Sequence, residues 1–452
     1  MSSIQAILSA ARSGMSVSQS QAALVSRNLA NVNTPGYARE TLPLWTELGG
    51  LAVRAGPSTA SRQIMLERAL AATSGRFAFH DTQVSYLGLA EQATNDLDDA
   101  GLGATIDRFR AALGTASANP AGRAERNQVL ASAQVMAGAF STTRAELEQA
   151  QASSADQADV VSTRVNQLTT EIAQLNGRIR SARAGEEKNT LMGRRASLVS
   201  TLSSLMSVDI VPRSDGTLQI SSGGHTLVEL ASAAQLSVSS GGPGAPIEVT
   251  ISRSGHEPEV VSGSAGSAFG GELGGLIEAH EDVIAPAIAN LDQAAYKFMS
   301  DFNTQHAAGY DLNGNTGHQF WDLPTSSVGA AAAMKLSADV NGKPEALAFA
   351  SDPNGVGNNE NLLKLDAFAE TAHQDFRSVG NDVSQALVRA QGGAELERGS
   401  VEQLSNLLAS ETGVDIDEEM VSLSQAQTAL AASSNVIKAT QTMIDTVLGM
   451  MG

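Results

Sequence analysis

The two ends of the chain carry the same pattern. Near the start, Ile4, Leu8, Ala11, Met15, Ser18, Ala22, Val25, Leu29 and Val32 recur at alternating spacings of four and three. Near the end, Met420, Leu423, Gln427, Leu430, Ser434, Ile437, Gln441, Ile444, Leu448 and Met451 do the same. Such a period keeps one helix face turned toward a partner helix along its length. The spacing therefore predicts two long amphipathic helices that pair as a coiled coil. Gln427, Ser434 and Gln441 fall on the expected seam, and polar seam residues cost stability while fixing register. Residues up to Arg39 include Arg12 and Arg27 but no Asp, Glu or Lys, which leaves a small, weakly charged outer surface. A lone hairpin of this kind is marginal. Its ends are expected to be stabilised by neighbouring subunits.

The first helix must stop at Asn31-Val-Asn-Thr-Pro-Gly-Tyr37. Pro35 drives Thr34 out of the helical region, and Gly36 suits the positive φ of a turn. The last helix opens at Asp415-Ile-Asp-Glu-Glu419, a capping residue followed by carboxylates at the positive end of the dipole.

Between the ends, further stripes read as helices. Residues 61–100 offer Leu66, Leu70, Phe77, Val84 and Leu87 as core. Residues 123–182 form one long helix or two, with Val161, Val165, Leu168, Ile172, Leu175 and Ile179 on one face. Leu191, Leu198, Leu202 and Leu205 follow a break at Ala184-Gly185. Ile277, Ile284, Leu291 and Phe298 recur every seven residues, and Leu365, Phe368, Ala372, Phe376, Val379, Val383 and Leu387 make a last internal stripe. At about residue 207 the character changes to short β-prone runs separated by Gly-rich turns, and helical periodicity resumes near Gly271. In the irregular section 309–360, Met334–Val340 reads as a strand and a short helix follows Pro344.

The expected fold is mainly α with a β insertion. Residues 1–38 and 412–452 make a terminal coiled-coil core, 39–206 and 271–411 an elongated helical bundle, and 207–270 a small β-rich outer domain.

Composition excludes several functions. The chain has 29 Lys plus Arg against 48 Asp plus Glu, a net charge of −19. That argues against nucleic acid as a partner. There is no cysteine, so no disulfide, thiolate metal site or Cys nucleophile. No apolar run approaches the roughly 18 residues of a membrane span. The N-terminus does not read as a cleaved signal peptide.

The interior offers few chemical constellations. Asp311-Leu-Asn-Gly-Asn-Thr-Gly317 resembles the opening of a calcium loop, with Asp322 at its twelfth position. Yet Thr316 stands where such a loop needs Gly, and an Asp replaces the closing Glu. His306 and His318 flank the same loop as a candidate metal pair. Gly101-Leu-Gly-Ala-Thr-Ile106 lacks the third Gly and the preceding strand of a phosphate cradle, and reads as a helix start. Acidic pairs such as Asp98-Asp99 and Glu418-Glu419 fit helix ends and solvated turns. No catalytic, cofactor or metal residue is assigned. A secreted calcium- or metal-dependent binder or enzyme centred on 306–322 remains the alternative of another class.

The stretch Ser26-Arg-Asn-Leu-Ala-Asn-Val-Asn-Thr-Pro-Gly-Tyr-Ala-Arg39 resembles the signature of bacterial flagellar axial proteins, the rod, hook and hook-associated subunits. Gly413–Met420 and Gln425–Ile437 look like the closing helix of that family. Asn119–Leu130, Ile172–Ile179, Gly271–Leu276 and Asn303–Gly314 resemble its hook-associated branch at the junction of hook and filament. Met192-Gly-Arg-Arg195 departs from the family pattern, as do Gln425 and Leu430 where tyrosines are usual.

The resemblance implies a structural, non-enzymatic subunit of the flagellum, exported by the type III apparatus to the extracellular hook–filament junction. Its implied partners are copies of itself, hook protein, the downstream junction protein or flagellin, and an export chaperone on the C-terminal helix. Its implied assembly residues are Ile4, Leu8, Met15, Val25, Leu29, Asn31, Asn33, Pro35, Gly36 and Tyr37 at one end. At the other they are Met420, Leu423, Leu430, Ile437, Ile444 and Leu448. Another axial subunit, such as a hook protein, is the alternative within the class, although hook proteins are largely β outside their ends.

Overall fold

The computed structural model describes residues 2–34, 36–46, 52–95, 101–242, 244–261, 266–355 and 357–451. Helix α1 (Ser2–Ala30) opens the chain. Four short strands follow, β1 (Glu40–Thr41), β2 (Leu44–Thr46), β3 (Val53–Ala55) and β4 (Thr59–Ala60), in two antiparallel pairs, β1–β4 and β2–β3. Then come α2 (Ile64–Thr94), α3 (Leu102–Ala118), α4 (Arg123–Ser181) and α5 (Glu186–Leu205). Residues 123–182 are thus one helix, about 90 Å long at 1.5 Å per residue. Gly101 starts α3 as an ordinary helix entry. The pair Asp98-Asp99 lies outside the described residues.

The β insertion forms two antiparallel sheets. One orders β5 (Asp209–Pro212), β6 (Leu218–Ser222), β7 (His225–Glu229) and β8 (Ser232–Ala233). The other orders β11 (Glu259–Val261), β10 (Ile247–Ser252) and β9 (Gln235–Ser240). Along β10, Ile247, Val249 and Ile251 are buried while the residues between them are not, the period-two pattern of a sheet with one face on a core.

Helices resume with α6 (Gly266–Phe269) and α7 (Gly271–Glu278). A π-helical turn (Ala279–Ile284) leads into α8 (Ala285–Ala308). Pro286 explains that widened turn. It donates no N–H and its ring presses on the preceding turn, so the ladder must open there. After an irregular lobe containing α9 (Ala330–Ala333), the chain closes with α10 (Glu360–Thr412) and α11 (Ile416–Met451).

Helix α4 passes through both large apolar cores. Its first half meets α3, α8 and the lobe through Val129, Met136, Phe140 and Leu147. Its second half meets α5, α7 and both sheets through Val161, Val165, Leu168 and Ile172. The every-seven stripe Ile277, Ile284, Leu291 and Phe298 is buried throughout. Of the residues expected on α2, only Leu87 is fully buried; Leu66, Leu70, Phe77 and Val84 are half-buried.

Asparagine side chains do much of the joining. Asn166 Nδ2 donates to Leu236 O at 2.7 Å while its Oδ1 accepts the Leu236 N–H at 2.7 Å. Asn176 treats Leu218 the same way, at 2.8 and 3.1 Å. Each amide imitates a neighbouring strand and satisfies a backbone unit of the insertion against α4. Asn303 does so for Phe320 and Trp321. Arg126 is buried and donates to Pro120 O, Pro344 O and Leu347 O at 2.6, 3.0 and 2.8 Å, with its guanidinium 4.5 Å above the Phe349 ring. It ties the entry of α4 to the lobe.

The lobe departs from two expectations. Met334–Val340 is not a strand; it makes a single bridge, Trp321 to Leu336, and Ser337 turns its hydroxyl onto Gln319 O. Pro344 opens only a one-turn 3-10 helix, Pro344–Ala346. The loop at 311–322 is organised by its own hydrogen bonds. Asp311 Oδ1 accepts the N–H groups of Asn313 and Asn315, and Oδ2 lies 3.3 Å from His318 Nε2. Asp322 instead pairs with Lys335 at 3.0 Å. His306 does not point at a shared site with His318. Its Nδ1 donates to His318 O at 2.8 Å, and its Nε2 accepts the Ala348 N–H at 3.0 Å. Both ring nitrogens of the neutral imidazole are therefore spent.

Burial pushes the His306 pKa down to about 4. Between that value and the ordinary one near 6.5, the unfolded chain binds a proton that the folded chain excludes. Stability must then fall as pH drops through this window, by up to ~3 kcal/mol. His306→Gln should flatten that fall. Urea midpoints of both proteins at pH 7 and pH 4.5 measure it, and parallel losses would contradict it.

Candidate assembly site: the paired chain ends

Helices α1 and α11 pack antiparallel. Asn28 meets Glu419 near one end of the pair. Gly14 faces Ser433 midway, where a Cβ on Gly14 would lie 3.2 Å from Ser433 Oγ. On α1, Ala11, Ser18 and Val25 are buried, and Ile4, Leu8, Met15 and Leu29 are half-buried. The expected stripe of α1 lies in the seam, with Leu24 and Asn28 buried beside it.

On α11 only half of the expected stripe lies in the seam. Leu423, Leu430, Ile437 and Ile444 are half-buried. The alternating series is displaced by one residue: Glu419, Ala426 and Thr440 are buried, with Ser433 beside Gly14. Met420 and Leu448 are turned out and are 52% and 62% exposed. The displacement has a physical cause in the buried polar residues. Glu419 is held at the top of the seam by two partners, Asn28 and Arg39, which sets the helix rotation. Small residues at Gly14, Ser433 and Ala426 then let the backbones approach.

Asn28, fully buried, is the centre of this polar knot. Its Nδ2 donates to Glu40 O at 3.0 Å and to Glu419 Oε2 at 3.1 Å. Its Oδ1 accepts the Glu40 N–H at 3.1 Å and the Tyr37 hydroxyl at 2.7 Å. All its hydrogen-bonding capacity is thereby used. Arg39 Nε donates to Glu419 Oε1 at 2.7 Å, its Nη1 reaches Glu418 at 3.0 Å, and its N–H donates to Thr412 O. Burial, then Glu40, pushes the Tyr37 pKa up to about 12, so the phenol stays a donor at any physiological pH.

The sequence motif from Ser26 to Arg39 acquires a mechanical meaning here. Asn31 Nδ2 donates to Arg27 O and closes the end of α1. Gly36 has φ +75°, and a Cβ there would lie 2.8 Å from Gly193 O, so the loop lies directly on α5. Asn33 is exposed, and Pro35 lies outside the described residues. Arg27 bridges to Glu186 of α5 at 3.3 Å. The β2–β3 hairpin, which periodicity did not foresee, lies on another face of α1; its Val53 N–H donates to Ser13 Oγ at 3.3 Å.

Two features were missed in the sequence. Asn28, Arg39 and Glu419 stand in the quoted motifs, yet only their partners reveal a buried knot. The second is an apolar stripe beside the seam. Val436, Met443, Val447 and Met450, spaced seven, four and three, are all substantially exposed. No residue of α1 or α11 belongs to the three buried apolar clusters of the described residues.

Comparison with known proteins accords with this arrangement. The pattern of the flagellar hook-associated protein FlgK helical domain matches residues 87–321. The chain belongs to the flagellar hook-associated protein FlgK family. Residues 8–37 match the flagella basal body rod protein pattern, and 405–450 the C-terminal pattern of the flagellar basal body rod FlgEFG proteins. The chain is 25% identical to flagellar hook-associated protein 1 of Bacillus subtilis, covering 98% of each chain. It is 24% identical to that of Salmonella typhimurium, over 96% of this chain and 80% of the relative. A solved structure of the flagellar hook junction protein FlgK from Burkholderia pseudomallei aligns with TM-score 0.52 at 27% identity, over 57% of this chain and 47% of that one. The long helices with a small β region are thus a flagellar structural component, as the motifs implied. No helix among the described residues is long and apolar enough to cross a membrane.

Asn28→Ala should strand the Tyr37 hydroxyl, the Glu40 backbone and one Glu419 oxygen. A loss of about 2–3 kcal/mol is expected in the docking of the two ends. Amide exchange across 8–30 and 420–440 should accelerate about 30-fold or more, with α4 unchanged. Unchanged protection in both terminal helices would contradict the knot.

Proposed function

We propose that the chain joins hook to filament, and that it does so by burying the outer flank of α11 against neighbouring subunits. The exposed stripe Val436, Met443, Val447 and Met450 carries this reading, since an apolar repeat beside an existing seam suits a further helix. Leu423, Leu430, Ile437, Ile444, Ile4, Leu8, Met15, Val25 and Leu29 serve assembly by holding the two ends together. Met420 and Leu448, facing out, serve it directly. Residues 1–38 and 412–452 act as the axial core, 39–206 and 271–411 as the surrounding bundle, and 207–270 as the outer part. The role is structural, without an enzymatic reaction.

The same exposed stripe is an aggregation hazard before assembly, which supports a chaperone on α11 during type III export to the extracellular junction. Copies of the chain, hook protein and the next junction subunit or flagellin are the partners.

Cells lacking the gene should build hooks and release flagellin into the medium. Supplying the chain should restore attached filaments, while Val436→Asp or Met443→Asp should not, despite an unchanged thermal midpoint of the purified protein. Attached filaments in the deletion strain would overturn the role. Attached filaments with either variant would overturn the stripe.

A further inference from the structure

Beside the knot the molecule carries a basic patch and an acidic patch whose charges its own fold only partly pairs. The first surrounds the turn between α4 and α5. Residues 178–195 hold Arg178, Arg180, Arg183, Lys188, Arg194 and Arg195 against Glu186 and Glu187, a basic pole in a chain of net charge −19. Arg194 is paired with Glu171, and Arg195 is buried on Asn176 and Gly216. Arg178, Arg180 and Arg183 are exposed and make no direct ion pair within the described residues, although Arg180 adds to the Thr217 hydrogen bonds that lower the Asp215 pKa. The helix dipole accounts for Arg178 and Arg180 in the last turn of α4. It does not account for Arg183, which lies beyond the helix.

The second patch is the joint between α10 and α11. Glu411, Asp415 and Asp417 are exposed there. Asp415 caps α11 through the N–H groups of Asp417 and Glu418. Glu411 has no such reason. It sits in the last turn of α10, where the helix's own field disfavours a negative charge, and it makes no ion pair among the described residues. The two patches flank the segment 27–62. Arg39 fastens that segment to Thr412 and Glu418, while Arg27, Gly36 and Ser58 fasten it to α5.

We infer that the basic turn Arg178–Arg183 of one copy docks on the acidic α10–α11 joint of the next, forming a charged collar around the assembly. Patches that border the same segment of one molecule suit a lateral, heterologous contact, because each copy then offers its base to one neighbour and its acid to the other. Charge complementarity of this kind fixes orientation and register while the apolar stripe supplies adhesion. The inference rests on the proposed self-assembly at the junction and adds its lateral contact.

The test is charge exchange in a strain lacking the gene. Restoration by the parent chain shows first that the assembly reading stands. Arg178→Glu, Arg180→Glu and Arg183→Glu together should lower the fraction of hooks bearing filaments about tenfold or more, as like charges meet at the collar. The purified triple variant should keep the circular dichroism and thermal midpoint of the parent. Adding Glu411→Arg and Asp417→Arg should restore filaments. Filaments at the parental level with the triple variant alone would overturn the collar. So would failure of the exchanged chain to restore them, because the acidic joint would then not be the counterpart.

Discussion

The rotation of α11 against α1 is set by one buried carboxylate. Glu419, 2% exposed, is tolerable inside the pair only because Arg39 and Asn28 both reach it. Removing Arg39 would leave a buried charge without compensation, and removing Asn28 would leave a buried carboxylate oxygen without its donor, both costlier than a typical apolar contact along this seam. The knot therefore selects the rotation, and the seam follows. With Glu419 inside, Ala426, Ser433 and Thr440 come inside at successive heptads, and Met420 is turned out. Polar groups here act as a register device that a uniformly apolar seam would lack.

That rotation links the fold to the function. A seam that alternates half-buried Leu423, Leu430, Ile437 and Ile444 with Ala426, Ser433 and Thr440 packs two helices closely but buries modest apolar area. The pair is held by that seam and by the knot at its end, with the β2–β3 hairpin resting on α1. What the rotation leaves outside, Val436, Met443, Val447 and Met450, is the apolar surface that assembly can use. The interior bundle is built differently. Its long helix α4 is fixed by two complete apolar cores, by Arg126 at one end and by Asn166 and Asn176 clasping the sheets toward the other. A rigid arm and marginal ends suit a subunit that completes its structure among neighbours.

Much of this was legible in the sequence, for reasons that also show where legibility stopped. Apolar periodicity located α1, α4, α5, α8, α10 and α11, because a face repeated over several turns outweighs local noise. It found Leu423, Leu430, Ile437 and Ile444, but assigned the alternating series to Met420 and Leu448. Hydrophobic pattern ranks Met above Glu, and only tertiary partners reverse that order. Strands of two or three residues, such as β1 to β4, carry no period to detect. Met334–Val340 has strand-like composition, yet among the described residues its one bridge is to Trp321 in residues 319–322, too short a pairing to make a strand. The quoted motifs contained Asn28, Arg126, Asn176 and Asn303, whose value lies in paired backbone groups far away in the chain.

The absence of cysteine makes the register directly measurable. Gly14→Cys with Ser433→Cys places two thiols where the helices pack closely, within the few ångströms a disulfide spans. Gly14→Cys with Ser434→Cys samples the rotation that apolar periodicity alone favours. Mild oxidation of the purified monomer should close the first pair rapidly and leave the second largely reduced. Preferential closure of the second pair would show that Glu419 does not set the rotation of the chain ends.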